Sequence, residues 1–217
     1  DKEDRWDCEV KVNKAILELS RAGGGPVHLN LQTESKAGYT TQELPSVRKI
    51  ERITREDEFP SLSDRKIGIL VGSHHIWSTE QVQVVDAFCE VANAVVFCDH
   101  TSGYNGKYKI PYSLIGCQKS GDKGIFKPDI LIHIGEVTGD YYTQSAGASE
   151  VWRVSPDGEL RDTFRKLKYV FEMPEVEFFR TYLTDVKIGC AYYEECCSAL
   201  LEMRSRIPEL PLSNIWL

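Results

Sequence analysis

Short apolar runs, separated by stretches long enough for helices, organise the chain from residue 66 to residue 171. Four nearly continuous runs predict strands buried on both faces, and a shorter fifth follows them, at 66–72, 94–98, 129–134, 151–154 and 168–171. Ser78 and Gln81 form a capping-box pattern that begins a helix after the first run, and helix-sized stretches also lie around 111–116 and 141–146. Alternating strands and helices predict an α/β fold with a doubly wound, mostly parallel, Rossmann-like sheet of about six strands.

The pattern differs on both sides of this region. A helix with Val12, Ile16 and Leu19 on one face ends near Gly23, and the apolar run 26–31 predicts a short strand. Residues 32–64 are polar and are interrupted by prolines, as in an interdomain linker. After Pro174 the spacing predicts one helix carrying Val176, Phe179 and Leu183, a second over about 191–204, and a third beginning near Ser213.

Composition narrows the class of protein. Of the 217 residues, 41% are hydrophobic and 27% are charged, as in a globular protein. The net charge of −7 argues against a nucleic-acid partner. We expect no membrane contact, because no apolar run reaches the roughly 18 residues that a transmembrane helix needs. The cysteines, seven in number and without a CxxC pair, favour reduced thiols and a cytoplasmic location.

Small and polar residues follow the predicted strands, where an open parallel sheet binds ligands. This placement predicts a nucleotide or polar-ligand crevice with Gly72, Ser73, His74, Asp99, Ser102, Gly135 and Asp157 as candidate residues. Tight turns need the same residue types, so a purely structural role for them is the alternative. No GxGxxG or P-loop motif, no Ser/His/Asp arrangement and no metal-ligand spacing is present. We therefore predict no catalytic residue and no metal site in the chain.

The run Gly25-Pro26-Val27-His28-Leu29-Asn30 resembles the strand that closes the pyrimidine-binding domain of thiamine-diphosphate-dependent enzymes. The resemblance implies a domain order: the end of a pyrimidine-binding domain (1–31), a linker (32–64), a central Rossmann-like domain of the deoxyhypusine-synthase-like NAD/FAD-binding type (65–187), and a connecting helix with the start of a pyrophosphate-binding domain (188–217). Within this family, 128–135, Thr138-Gly139 and 152–158 are most similar to the SEPHCHC synthases of menaquinone biosynthesis.

One departure from the synthases concerns substrate choice. The synthases follow their Thr-Gly with a basic pair that serves a polyanionic substrate, whereas Asp140-Tyr141 follows Thr138-Gly139 in this chain. An acid there repels carboxylates, so we expect an acceptor different from that of the synthases. The resemblance makes Thr138, Gly139, Asp140 and Tyr141 candidate substrate-pocket residues.

These expectations favour a central-domain fragment of a thiamine-diphosphate-dependent lyase or transferase, which decarboxylates a 2-oxo acid or transfers the resulting unit. Thiamine diphosphate and Mg²⁺ are then expected only in the parent protein, with FAD as a weaker possibility, because the Gly-Asp-Gly metal motif of the family is missing here. The implied partners are the parent's own pyrimidine- and pyrophosphate-binding domains within a homodimer or homotetramer. The alternatives are a stand-alone Rossmann-like nucleotide-binding module and a purely structural domain that supports an oligomer.

Overall fold

The computed structural model of the protein describes residues 2–31, 43, 46–117, 124–136, 143, 146–184 and 189–207. In these ranges seven strands form one parallel sheet, in the order β1-β7-β6-β5-β2-β3-β4. Their bounds are β1 Glu51–Ile53, β2 Ile67–Val71, β3 Ala94–Cys98, β4 Lys109–Pro111, β5 Ile130–Ile134, β6 Glu150–Val154 and β7 Leu167–Phe171. The predicted α/β class and Rossmann-like sheet are confirmed.

Two three-residue strands were not among the five located apolar runs, and with them the sheet has seven strands. β1 lies in the segment predicted to be a linker and pairs with β7, with Arg52 opposite Val170. β4 pairs with β3 and ends at Pro111. Both are too short to produce a recognisable apolar run, and both lie at the outside of the sheet.

Helices cover both faces of the sheet. α2 (Thr79–Ala92) and α4 (Glu175–Thr181) pack on one face, through Phe88, Phe178 and Phe179. α1 (Lys2–Glu18), α3 (Tyr112–Gly116) and α5 (Ala191–Ser205) pack on the other face. Every residue of β2, β3 and β5 is buried, which is why these strands read as continuous apolar runs.

α2 confirms the predicted helix start. The hydroxyl of Ser78 accepts from the backbone N–H of Gln81 (3.2 Å), and the Gln81 side chain accepts from the backbone N–H of Ser78 (2.8 Å). The helix ends at Asn93, whose left-handed backbone (φ 49°) is tolerated by asparagine better than by most residues. Local sequence therefore fixes both ends of the helix that joins β2 to β3.

α1 is attached to the sheet through a buried carboxylate. Asp162 Oδ2 accepts from Trp6 Nε1 (2.8 Å) and from Arg48 Nη2 (2.6 Å), and Asp162 Oδ1 accepts from the backbone N–H of Leu167 (2.8 Å). The Asp162 side chain has no exposed surface. A single carboxylate thus joins the first helix, the segment before β1 and the start of β7.

The strand predicted at 26–31 is wrong for this chain. Residues 24–31 carry neither helix nor strand, and Val27, Leu29 and Leu31 are exposed. A strand is stabilised by a neighbour in a ladder, and none of the described residues pairs with this run.

The helix predicted to begin near Ser213 and most of the one at 141–146 lie outside the described residues. No helix within the described ranges is long and apolar enough to span a bilayer.

Candidate functional site

A cavity of about 340 Å³ lies at the carboxyl ends of β2, β5 and β6. The strand order reverses there: the chain runs outward from β2 to β3 and β4, and then returns to place β5 on the opposite side of β2. This is the position at which open parallel sheets bind ligands. The lining residues come from the end of β6, from the loops after four strands and from the starts of α2 and α4: Ser73, His74, His75, Gln81, Gly135, Glu136, Arg153, Val154, Ser155, Pro156, Pro174, Glu175 and Val176.

The floor of the cavity is fixed by backbone contacts between the loops after β2 and β5. Ser73 donates to the Glu136 carbonyl (2.6 Å) and Glu136 donates back to the Ser73 carbonyl (2.9 Å). Gly135 makes this approach possible, because its φ is +69° and a Cβ there would lie 2.6 Å from the Ser73 carbonyl oxygen. Gly72 extends the contact by donating to the Ile134 carbonyl (3.2 Å).

Arg153 brings a buried cation to the cavity wall. It is 1% exposed, and its Nη2 donates to Glu136 Oε1 (3.0 Å) while Nη1 lies 3.2 Å from both the Gly135 carbonyl oxygen and His133 Nδ1. The guanidinium can only donate, so His133 Nδ1 accepts and the proton of the neutral ring is on Nε2. Burial, together with the charges of Arg153 and Arg161, lowers the pKa of His133 to about 3. Arg153 Nε and His133 Nε2 have no hydrogen-bond partner in the described structure.

Arg161 links the loop after β5 to the loop after β6. Its guanidinium pairs with Glu136, with Asp157 (3.0 Å) and with Glu159 (2.9 Å). Hydrogen bonds from Lys14 and Arg161 lower the pKa of Glu159 to about 2. These pairings surround Arg161 with carboxylates, so this rim of the crevice does not present an unpaired cation.

His74 and His75 also line the cavity, and they belong to an aromatic stack just before α2. The ring of His74 lies between the rings of His75 (centroids 4.0 Å apart) and Trp77 (4.2 Å). His74 Nε2 is 2.8 Å from Glu175 Oε2, in the first turn of α4, and His74 Nδ1 is 2.9 Å from the His75 carbonyl oxygen. Burial opposes the charged form of His74, but the carboxylate of Glu175 and the His75 carbonyl outweigh it and raise the pKa of His74.

The structure brings together only some of the residues predicted for the crevice. Ser73, His74 and Gly135 line the cavity, Gly72 adjoins its floor, and Asp157 is joined to it through Arg161. Asp99 and Ser102 do not line it: Asp99 Oδ1 closes a turn by accepting from the backbone N–H and hydroxyl of Thr101, at the end of β3. Thr138, Gly139, Asp140 and Tyr141 lie outside the described residues.

Sequence reasoning missed Arg153 and Glu175 as residues of the site. Arg153 had a usable signal, since a charged residue inside an otherwise apolar buried strand is rare unless it is paired. Glu175 had none, because a carboxylate after a proline is ordinary at the start of a helix. His75 and Glu136 are sequence neighbours of the predicted candidates His74 and Gly135. The conformation of their loops decides that their side chains face the cavity.

The chemistry available in the cavity is binding and proton exchange. Among the described residues, no group of three or more His, Cys, Asp or Glu side chains is placed to hold a metal ion. The N-terminus of α2 carries its own cap and the acidic Glu80, and both disfavour a phosphate group there.

Fold and cavity together define the class: a Rossmann-like α/β domain with a ligand-sized crevice at the switch point of its sheet. No protein-family model matches the chain. Three curated relatives are each described as a 2-succinyl-5-enolpyruvyl-6-hydroxy-3-cyclohexene-1-carboxylate (SEPHCHC) synthase. The chain is 28% identical to that of Bacteroides thetaiotaomicron over 99% of its own length, 26% identical to that of Bacteroides fragilis over 98%, and 28% identical to that of Phocaeicola vulgatus over 85%.

These similarities confirm the resemblance to thiamine-diphosphate-dependent enzymes and, among them, to the SEPHCHC synthases. The chain spans about two fifths of the length of the relatives it matches: 38%, 41% and 36% of the three.

Proposed function

We propose that this chain is the central part of a longer thiamine-diphosphate-dependent enzyme that joins or cleaves carbon–carbon bonds, as a SEPHCHC synthase does. One observation carries the proposal: nearly the whole chain aligns with less than half of the synthase. In the parent protein, the chain's role is to space the two cofactor-binding domains and to supply part of a ligand pocket. The cofactor and Mg²⁺ are held by the other domains, and the parent is a homodimer or homotetramer.

Exposed apolar residues support the proposal that the chain packs against another domain of the parent. Ile16, Leu19, Val27, Leu29 and Leu31 are between 38% and 72% exposed and follow one another at the end of α1 and in the extended segment after it. A cluster of exposed large apolar side chains marks a surface that packs against another part of a protein. The pyrimidine-binding domain of the parent is the partner that the sequence resemblance implies.

A direct test compares this chain with the longer polypeptide encoded around it. Both are assayed for turnover of 2-oxo acids and titrated with thiamine diphosphate and Mg²⁺ by calorimetry. The chain alone is expected to show neither turnover nor heat of cofactor binding, whereas the longer polypeptide shows both. Turnover by the 217 residues in isolation would contradict the proposal.

The acceptor is tested separately at positions 140 and 141. Replacing Asp140 and Tyr141 together by Lys and Arg in the parent introduces the basic pair of the synthases. If the acid excludes a polyanionic acceptor, the double variant gains kcat/KM for the synthase reaction relative to the parent. Unchanged kinetics would remove these residues from the pocket. Asp122→Lys, which reverses one charge elsewhere in the sequence, is the control.

The stand-alone nucleotide-binding hypothesis remains the second candidate, because the cavity lies at the switch point of the sheet. Calorimetry of the chain with flavin, nicotinamide and adenine nucleotides distinguishes the two. The capped, acidic start of α2 leads us to expect no measurable heat.

A further inference from the structure

The contacts of His74 constrain its protonation state. Its Nδ1 faces the carbonyl oxygen of His75 and its Nε2 faces the carboxylate of Glu175, and a carbonyl and an ionised carboxylate can only accept. A neutral imidazole has one N–H and can satisfy one of these two contacts. Both are satisfied together only when the pair holds one additional proton. Imidazole is a stronger base than carboxylate, so that proton is on His74.

The surroundings of the ring favour the charged form as well. The His74 side chain is 2% exposed, and a buried cation needs compensation, which Glu175 provides at 2.8 Å. The indole of Trp77 stacks 4.2 Å away on one face of the ring and adds a cation–π contribution.

The neighbouring histidine is held by the capping box of α2. Gln81 uses its Oε1 to accept from the backbone N–H of Ser78, so its Nε2 is the group that faces His75 Nε2 at 2.9 Å. The amide nitrogen can only donate, and this contact fixes the position of the His75 ring against His74.

Other charges near the ring are already paired. Arg153 and Glu136 border the same cavity from β6 and from the loop after β5, and they pair with each other. Glu80 of α2 pairs with Arg180 of α4, which makes a second bridge between these helices. Among the described residues, Glu175 is the charged group in direct contact with His74.

We propose that His74 is held as an imidazolium whose ion pair with Glu175 joins the loop after β2 to the first turn of α4. We call this His74–Glu175 pair the clasp, and we propose that loss of the His74 proton loosens this wall of the cavity. The clasp makes the shape of the crevice depend on pH, with the closed form present at neutral and lower pH. The inference concerns the chain itself and does not depend on the activity proposed for the parent.

The test is an NMR titration of the purified chain labelled with ¹⁵N-histidine. Both ring nitrogens of His74 are expected to carry protons at neutral pH, with a titration midpoint above the usual value of about 6.5. The backbone amide signals of Ser73 and Val176, on the two sides of the clasp, should change with the same midpoint. A neutral His74 tautomer at pH 6.5 and below would overturn the proposal.

A matched pair of variants isolates the carboxylate. Glu175→Gln keeps the shape of the side chain but offers an amide that can donate to a neutral imidazole. The His74 midpoint should fall by one pH unit or more, below about 6.5, because the carboxylate that offsets most of the effect of burial is gone. Glu177→Gln, on the same helix and paired with Arg55, should leave the midpoint in place. An unchanged midpoint in Glu175→Gln, or an equal fall in both variants, would contradict the clasp.

Discussion

The guanidinium of Arg153 and the imidazole of His133 lie on neighbouring strands, directly opposite each other, with Arg153 Nη1 3.2 Å from His133 Nδ1. Both side chains are almost fully buried, on the face of the sheet that also carries Leu131 and Val151. The sheet therefore places a permanent cation and a neutral base side by side beneath the crevice, and the cation reaches its counter-charge, Glu136, at the cavity wall.

Replacing Arg153 by Lys should destabilise the chain strongly. A lysine cannot donate at once to His133, Gly135 and Glu136, so buried acceptors lose partners. We expect the free energy of unfolding to fall by about 3 kcal/mol in urea titrations. Arg165→Lys is the control: Arg165 forms an exposed pair with Glu3, and its replacement should change stability by less than about 1 kcal/mol. Equal effects would show that burial of Arg153 contributes nothing.

The stability of the chain should fall between pH 7 and pH 5 because of His133. Its pKa of about 3 in the folded chain is below the value of about 6.5 expected when unfolded, so this contribution to stability is present above about 6.5 and is lost as the pH falls toward 3. At pH 5 the loss is about 2 kcal/mol, since each pH unit below 6.5 is worth about 1.4 kcal/mol.

His133→Gln should remove this pH dependence while keeping an acceptor for Arg153. Urea titrations at pH 7 and pH 5 measure it. Ile132→Val, at the preceding position of β5, should lower stability by about 1 kcal/mol at both pH values and leave the difference between them intact. A variant His133→Gln with the full pH difference would assign that difference to other groups.

Asp162 should control the attachment of α1. Asp162→Ala removes the acceptor of Trp6 Nε1 and of the Leu167 N–H, and one of the acceptors of Arg48. We expect a loss of about 3 kcal/mol and faster amide hydrogen exchange across residues 2–18, measured by mass spectrometry. Asp7→Ala, which removes an exposed pair with Lys11, should not change the exchange of the helix.

Gly135→Ala should disturb the floor of the crevice. Its Cβ would lie 2.6 Å from the Ser73 carbonyl oxygen, in a backbone conformation with φ +69°, and the expected cost is about 2 kcal/mol. Gly25→Ala, which meets no atom within 4 Å, is the control and should be nearly neutral. Thermal unfolding of both variants tests the difference.

Sequence reasoning predicted the interior of the sheet well because the interior is simple. β2, β3 and β5 are buried on both faces, so each is an apolar run, and the Ser78–Gln81 capping box is a purely local interaction. β1 and the strand predicted at 26–31 depend on the presence or absence of a neighbour, which a local pattern does not contain.

The contacts within the site were harder to predict from the sequence, for a related reason. Gly135, Ser73 and His74 were found because they follow strands, and that position is a property of the chain. The partners of these residues are distant along the chain: 101 positions separate His74 from Glu175. Which carboxylate meets which base is decided by the order β7-β6-β5-β2, and this order is not encoded in any short motif.

The brevity of the two outermost strands has a consequence for concentrated samples. β1 and β4 have three residues each, so few unpaired backbone donors and acceptors face outward from the described sheet. Exposed edge strands allow copies of a protein to pair strand to strand and aggregate. An added strand can form only a few backbone hydrogen bonds with an edge strand of three residues. Without β1, the five-residue β7 with Tyr169 and Phe171 would form the border, and the same chain would offer a longer, aromatic template for growth.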